Sequence, residues 1–299
     1  MHQTLSKLLH FLVIVYLVGV GSASIAQETP AANEEPTKPA AASHEDLDAL
    51  LWMQTSAEYP AITRQTFRLA RFNLGDALVD PTWTACIEQQ QMYAHDPHLL
   101  ARLPAAVILD VDETVLDNTA YQSRLIRSGH EFDRDSWLDY VREESSRAIP
   151  GAREFIQVCR DARVSVLFVT NREYEVEYAT RRNLLSSGLL QEDDPDVLFT
   201  KFEREDWTSD KQTRRQHLAK RYRIMMIMGD DLNDFVSVGK RASAETRRST
   251  ATDHADWWGT KWLMLPNPNY GGWERSLYDW KDKTPRSAKL QRKAKALRD

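Results

Sequence analysis

The sequence predicts an α/β fold, a parallel sheet covered by helices on both faces behind a helical N-terminal segment, and three observations carry that reading. Short apolar runs recur at Ala105–Val111 (AAVILDV), Val164–Val169 (VSVLFV), Val197–Phe199 and Arg223–Met228 (RIMMIM). Amphipathic stretches separate them at Ala152–Arg163, Glu173–Ser186 and Asp210–Tyr222. The runs are also continuous instead of alternating, the mark of strands buried on both sides. Strands that take turns with helices in this way pair in parallel through helical crossovers.

Taken in order, the chain begins with Lys7 ahead of the apolar run Leu8–Val20, broken only by His10 and followed by the small residues Gly21-Ser22-Ala23-Ser24-Ile25-Ala26. Residues 1–26 therefore read as a signal peptide, with Ser24 and Ala26 suited to the peptidase. The run is shorter than the ~20 residues of a spanning helix, and no later stretch is as apolar, so no membrane span is expected. Export is expected, periplasmic or secreted. The first cysteine is Cys86, so no lipobox cysteine marks the cleavage point. Residues 27–44 are rich in Ala, Pro and Glu without apolar period and read as a flexible linker. Residues 45–103 form the helical segment: Phe67, Ala70, Leu74 and Leu78 recur at helical spacing, and Pro60 and Pro81 are placed as helix starts. The core follows over residues 104–275, with Trp262–Leu265 as a further strand ahead of the turn-rich Pro266-Asn267-Pro268-Asn269. Residues 276–299 are a basic tail. Within it, residues 281–299 carry eight Lys or Arg against Asp282 and Asp299, which reads as a solvated, frayed helix, with a docking patch for anionic surfaces as the alternative.

Composition narrows the function. The 299 residues, 42% hydrophobic and 28% charged, suffice for one large core or a core and a smaller domain. Lys and Arg number 39 against 44 Asp and Glu, and a net charge of −5 gives no field for a nucleic acid polymer. Cys86 and Cys159 form neither a disulfide framework nor a CxxC metal site. Both lie in amphipathic stretches and read as buried thiols, with a single disulfide as the alternative.

Ligands of open parallel sheets sit beyond the carboxyl ends of the strands. Three strands here end in Asp110 and Asp112, in Thr170, and in Asp230, Asp231 and Asp234. In Asp110-Val111-Asp112-Glu113-Thr114 one carboxylate can attack phosphorus, forming a reactive aspartyl-phosphate, while the other protonates the leaving oxygen and then deprotonates water. Asp112 is alternatively a cap for the following turn. A dianionic phosphate beside Asp110 requires a cation. Gly229-Asp230-Asp231-Leu232-Asn233-Asp234 supplies Asp230 and, a helical turn on, Asp234, and all-oxygen ligation of this kind suits Mg2+. The eight His form no HxH or HExxH pattern, which argues against zinc. Thr170-Asn171-Arg172 offers a hydroxyl and backbone amides as a phosphate cradle at a helix start. Lys211 offers a point charge, with Lys201 and Arg214 as rivals.

In this order ILDVDET, LFVT, Lys211 and GDDLND resemble the haloacid dehalogenase superfamily, whose pattern is hhhDxDxT, hhhT, Lys and GDxxxD. Asp112, the second Asp of the first motif, points to its phosphatase branch. LWMQTSAEY (51–59), DNTAYQ (117–122), the Trp137–Gly151 segment and LPNPNYGGWE (265–274) are further similar to the class B-like acid phosphatase and 5′-nucleotidase family, subfamily IIIB, whose bacterial members are outer-membrane lipoproteins. The resemblance covers most of residues 45–275. It implies a haloacid dehalogenase-type Rossmann-like core with a small helical cap inserted at about residues 118–150. It implies a magnesium-dependent phosphatase acting on phosphomonoesters, nucleoside 5′-monophosphates among them. Asp110 and Asp112 would be catalytic, Asp110, Asp112 and Asp230 would surround the metal with Asp234 in support, and Thr170, Asn171 and Lys211 would hold phosphate. The base would stack between Trp137 and Tyr270, although Trp137 also reads as a core residue of the cap beside Asp139-Tyr140-Val141. Two other functions stay open: a phosphotransferase using the same intermediate, and a non-catalytic storage or binding protein of the same fold. The expected partners are a small phosphomonoester and a second copy of the chain as a homodimer, with no nucleic acid and no membrane.

Overall fold

The computed structural model describes residues 44–239 and 241–298; the expected signal peptide and all of the expected linker but His44 lie outside them. The N-terminal segment holds helices α1 (Leu47–Thr55), α2 (Glu58–Val79) and α3 (Ile87–Met92) and a 3-10 turn at Pro97–Arg102. Along α2 the buried residues are Tyr59, Thr63, Phe67, Ala70, Leu74 and Ala77, a three-and-four spacing that keeps one face on the core. Pro60 sits in the first turn of α2, where no N–H is missed. Pro81 instead lies in a turn that the Asp80 carboxylate ties to the Thr82 N–H at 2.8 Å, and the next helix waits until Ile87.

Five strands form one sheet in the order β5 (Leu198–Lys201), β4 (Ser165–Glu173), β1 (Ala105–Leu109), β6 (Arg223–Gly229), β7 (Trp262–Met264), every pairing parallel. Central β1 (Ala105–Leu109) is buried from Ala106 on. A two-stranded antiparallel ribbon follows, β2 (Leu116–Asp117) with β3 (Arg147–Ala148), and between its arms lie α4 (Thr119–Ser128) and α5 (Arg134–Arg142). Helix α6 (Ala152–Asp161) leads to β4 (Ser165–Glu173), and α7 (Glu177–Ser186) to β5 (Leu198–Lys201). Helix α8 (Gln212–Ala219) then precedes β6 (Arg223–Gly229), buried at all seven residues, which explains the unbroken RIMMIM run. The short α9 (Leu232–Phe235), α10 (Ala244–Asp253), β7 (Trp262–Met264), α11 (Gly272–Arg275) and α12 (Arg286–Lys295) complete the chain. Cys86 and Cys159 are free, buried thiols.

One expectation is corrected. Strand β4 runs to Glu173, held by pairing of Glu173 with Lys201, and α7 begins only after a 3-10 turn at Tyr174–Val176. Thr170, Asn171 and Arg172 are thus strand residues, not the start of a helix. The basic tail, expected as a solvated helix, holds the helix α12, which has no buried residue and is fastened to scattered acids. Arg286 bonds Glu45 (2.6 Å), Lys289 bonds Glu131 (2.6 Å), Arg292 bonds Asp279 (2.7 Å) and Lys293 bonds Glu274 (2.6 Å).

Candidate active site

The site is built at the carboxyl ends of β1 and β6, where the chain leaves the sheet. Asp110 follows β1, its N–H donating to the Met228 carbonyl of β6 at 2.9 Å. Asp230 and Asp234 follow β6. Gly229 makes their arrangement possible, because a Cβ there would lie 2.2 Å from the Asp234 carboxylate. Asp231 caps α9 by accepting from the Asn233 N–H, and Asp234 returns the favour to the Asp231 N–H, both at 2.9 Å, so the GDDLND turn is locked from both sides. Into this turn projects the buried Lys211 from the start of α8, bonding Asp110 and, at 2.6 Å, Asp234.

Asp110, Asp230 and Asp234 each offer an oxygen within 4.8 Å of the others. Burial lifts Asp110 above the usual carboxylate range, and the Asp234 and Asp112 charges add to this against the pull of Lys211. Burial, then the charges of Asp234 and Asp110, hold Asp230 well above that range as well. For Lys211 burial works against the charge, but Asp110 and Asp234 outweigh it and drive the ammonium up. Three carboxylates against one ammonium, all-oxygen and without His or Cys, fit a hard divalent cation.

Asp112 is the further residue expected beside the ion. Its carboxylate lies outside this cluster, accepting from Arg172 Nε at 2.8 Å and Asn118 Nδ2 at 2.9 Å. The physical reason is the lengthened β4, which carries a fully buried guanidinium to that spot. Thr170 is buried and its hydroxyl accepts the Arg172 N–H at 3.0 Å, leaving its proton to donate. The Asn171 side chain is used at both ends, donating to the Ser209 carbonyl and accepting from Arg214. Of the two rivals to Lys211, Arg214 is spent on the Thr170 and Thr208 carbonyls and Lys201 on Glu173 at 3.1 Å.

The rings of Trp137 and Tyr270 do not meet among the described contacts. Trp137, half-buried, packs on Tyr121 and Tyr140 at 5.1 and 5.7 Å between centroids and carries Arg172 over its face at 5.7 Å. Tyr270 donates its hydroxyl to Glu113. Glu113 is buried at φ 55, held by the Asn118 N–H at 2.9 Å, and burial with the Asp112 charge pushes it up to about 8. Sequence reasoning missed the side chains of Arg172, Asn118, Glu113 and Asn267, the last bonding Asp230 at 2.7 Å. Asn118 and Asn267 stand inside DNTAYQ and LPNPNYGGWE, so their signal was present without a role.

The family model described as HAD superfamily, subfamily IIIB (Acid phosphatase), matches residues 80–273. Among solved structures, the class C acid phosphatase from Bacillus anthracis is 27% identical, with a TM-score of 0.72 over 85% of this chain and 97% of that chain. The same protein with tungstate bound is 26% identical, with the same TM-score and coverage.

Proposed function

The chain belongs to the acid phosphatases of HAD subfamily IIIB, and on that premise we propose that it is an exported, magnesium-dependent enzyme hydrolysing nucleoside 5′-monophosphates through an aspartyl-phosphate. It is a phosphoric monoester hydrolase; substrate, ion and export are our reading. The observation that carries it is the sorting of two carboxylates two residues apart. Asp110 lies with Lys211 and the acidic cluster, whereas Asp112 lies with Arg172 and Asn118. Neighbouring carboxylates in different surroundings take different parts.

In this reading a carboxylate oxygen of Asp110 attacks phosphorus. As the ester P–O bond breaks, its oxygen takes a proton from Asp112 and leaves as the alcohol. Asp112 then takes a proton from water, whose oxygen attacks phosphorus and breaks the bond to Asp110, releasing inorganic phosphate. Lys211 and the Thr170 hydroxyl face the phosphate oxygens with a charge and a donor. Magnesium on Asp110, Asp230 and Asp234 would, when bound, offset the charge of the phosphate. Tungstate, a tetrahedral oxyanion like phosphate, bound to the Bacillus anthracis relative supports an oxyanion site in this fold. Trp137 and Tyr270 flank the Asp112–Glu113 corner and support stacking of a flat base, a contact that tolerates base identity. The pattern Lys7 to Ala26 supports export.

The test is an assay of purified protein on nucleoside monophosphates, with and without magnesium and an acceptor nucleoside. Free phosphate formed only with magnesium supports the reading. Transfer to the acceptor in preference to water would make the chain a phosphotransferase.

A further inference from the structure

We propose that the outer face of α2 is the surface through which two copies of this chain associate, antiparallel and related by a two-fold axis. Opposite the buried face of α2, Ile62 and Leu69 are 39% and 40% exposed, and Phe72 and Val79 are 75% and 84% exposed. Scattered exposed apolar residues are ordinary. These four are instead spaced seven, three and seven apart, a heptad seam whose remaining positions are Gln65 and Asp76.

The seam reads alike from either end. With Leu69 opposite Phe72 of an antiparallel partner, Ile62 falls opposite Val79 and Gln65 opposite Asp76. A patch that complements itself in this way is what an isologous interface requires. Charge follows the same symmetry. Arg64 and Arg68 flank the first half of the seam and Asp76 occupies the second, so antiparallel pairing carries each Asp76 toward the partner's arginines. Arg68 and Asp76 have no ion-pair partner among the described residues. Gly75 adds an independent observation. It is exposed inside a 22-residue helix, where glycine is destabilising relative to alanine, and nothing lies within 4 Å of where its Cβ would be. No contact within this chain calls for it, whereas a partner's Arg68 stem crossing the seam does. A heterologous partner would have no reason to match these end-to-end pairs, which is why a second copy is the occupant.

Sedimentation equilibrium of the purified protein should give a dimer, and Phe72→Asp should raise its dissociation constant at least tenfold with phosphatase activity unchanged. Arg68→Asp and Asp76→Arg should each weaken the dimer, and the double exchange should restore it. Oxidation should cross-link the Ile62→Cys/Val79→Cys double variant between chains and neither single variant, since Cys86 and Cys159 are buried. A wild-type monomer at about 100 μM, a dimer untouched by Phe72→Asp, or cross-linking of Ile62→Cys alone would each overturn the proposal. None of these residues belongs to the site, so the outcome is separate from that of the phosphatase reading.

Discussion

At the carboxyl ends of β1 and β6, Asp110 and Asp234 are buried and bonded to the buried Lys211, whereas α4 and α5 reach the same site with the half-buried ring of Trp137 and with surface ion pairs. The insert is tied to the core by Arg134 on Glu173 and Glu175 (2.6 and 2.9 Å), by Arg142 on Glu175 (2.5 Å), and by a small buried cluster in which Leu138 and Val141 pack with Val176 and Ala179. Moving the first region strands a buried charge, which is costly; breaking the ion pairs of the second exchanges them for hydration at little cost and leaves its small apolar cluster as the main hold. On the proposed reading, the phosphorus chemistry is set on the more rigid wall and the fit to the rest of the substrate on the more adjustable one. Arg172 joins them, touching Asp112 with one edge and Trp137 with its face.

The comparison breaks most visibly at Asp110. Asp110→Asn removes the attacking charge but little volume, so turnover should fall by orders of magnitude while the fold survives. A variant keeping more than about a tenth of the wild-type rate, ~1.4 kcal/mol in barrier, would mean that another group attacks. Chelation comes next: activity should vanish and return with magnesium. Because an ion must displace protons that Asp110 and Asp230 hold above the usual carboxylate range, half-activation should need less magnesium as pH rises. Restoration by zinc alone would contradict the oxygen-donor argument.

Asp112→Asn should be milder and should depend on the leaving group. Single-turnover rates should drop about a hundredfold or more for a ribose ester and less for a p-nitrophenyl ester, whose oxygen needs little protonation. Equal losses would mean that Asp112 serves only the fold. On the adjustable wall, Trp137→Ala should raise KM for purine and pyrimidine monophosphates together by about tenfold, one stacking contact of ~1–3 kcal/mol, with ribose 5-phosphate much less affected. Equal effects on both substrates, or an unfolded variant, would make Trp137 a core residue of the insert. Smallest of all, Arg134→Ala should change kcat/KM by less than about twofold, and high salt should erase the difference. A tenfold loss that persists in salt would show that the insert is as rigid as the core.

How much of this was legible in the sequence follows from the same division. The five strands were readable because burial on both faces leaves unbroken apolar runs, and the strand-end rule then pointed to Asp110, Thr170 and Asp230. Asp234 was expected behind the ion. It stands level with Asp110 and Asp230 because Gly229 has no side chain to hold it off, a steric fact hidden in a motif letter. The partners of Asp112 were not legible, since Arg172 and Asn118 meet only once β4 overruns its apolar stretch and the insert folds back on it. The partners of the tail were hidden for a related reason. A run of Lys and Arg says nothing of where its acids are, and Glu45, Glu131, Glu274 and Asp279 are spread along the chain.

That tail also decides how the molecule bears load. Lys293 lies 3.7 Å from Asp46 and Arg286 bonds Glu45, so the described fold starts and finishes at one corner. A pull applied between residues 44 and 298 reaches these water-accessible ion pairs first and peels α12 away one contact at a time. The parallel strands behind it feel the force only after the helix has gone, and a stretched enzyme yields at its strap before its catalytic wall.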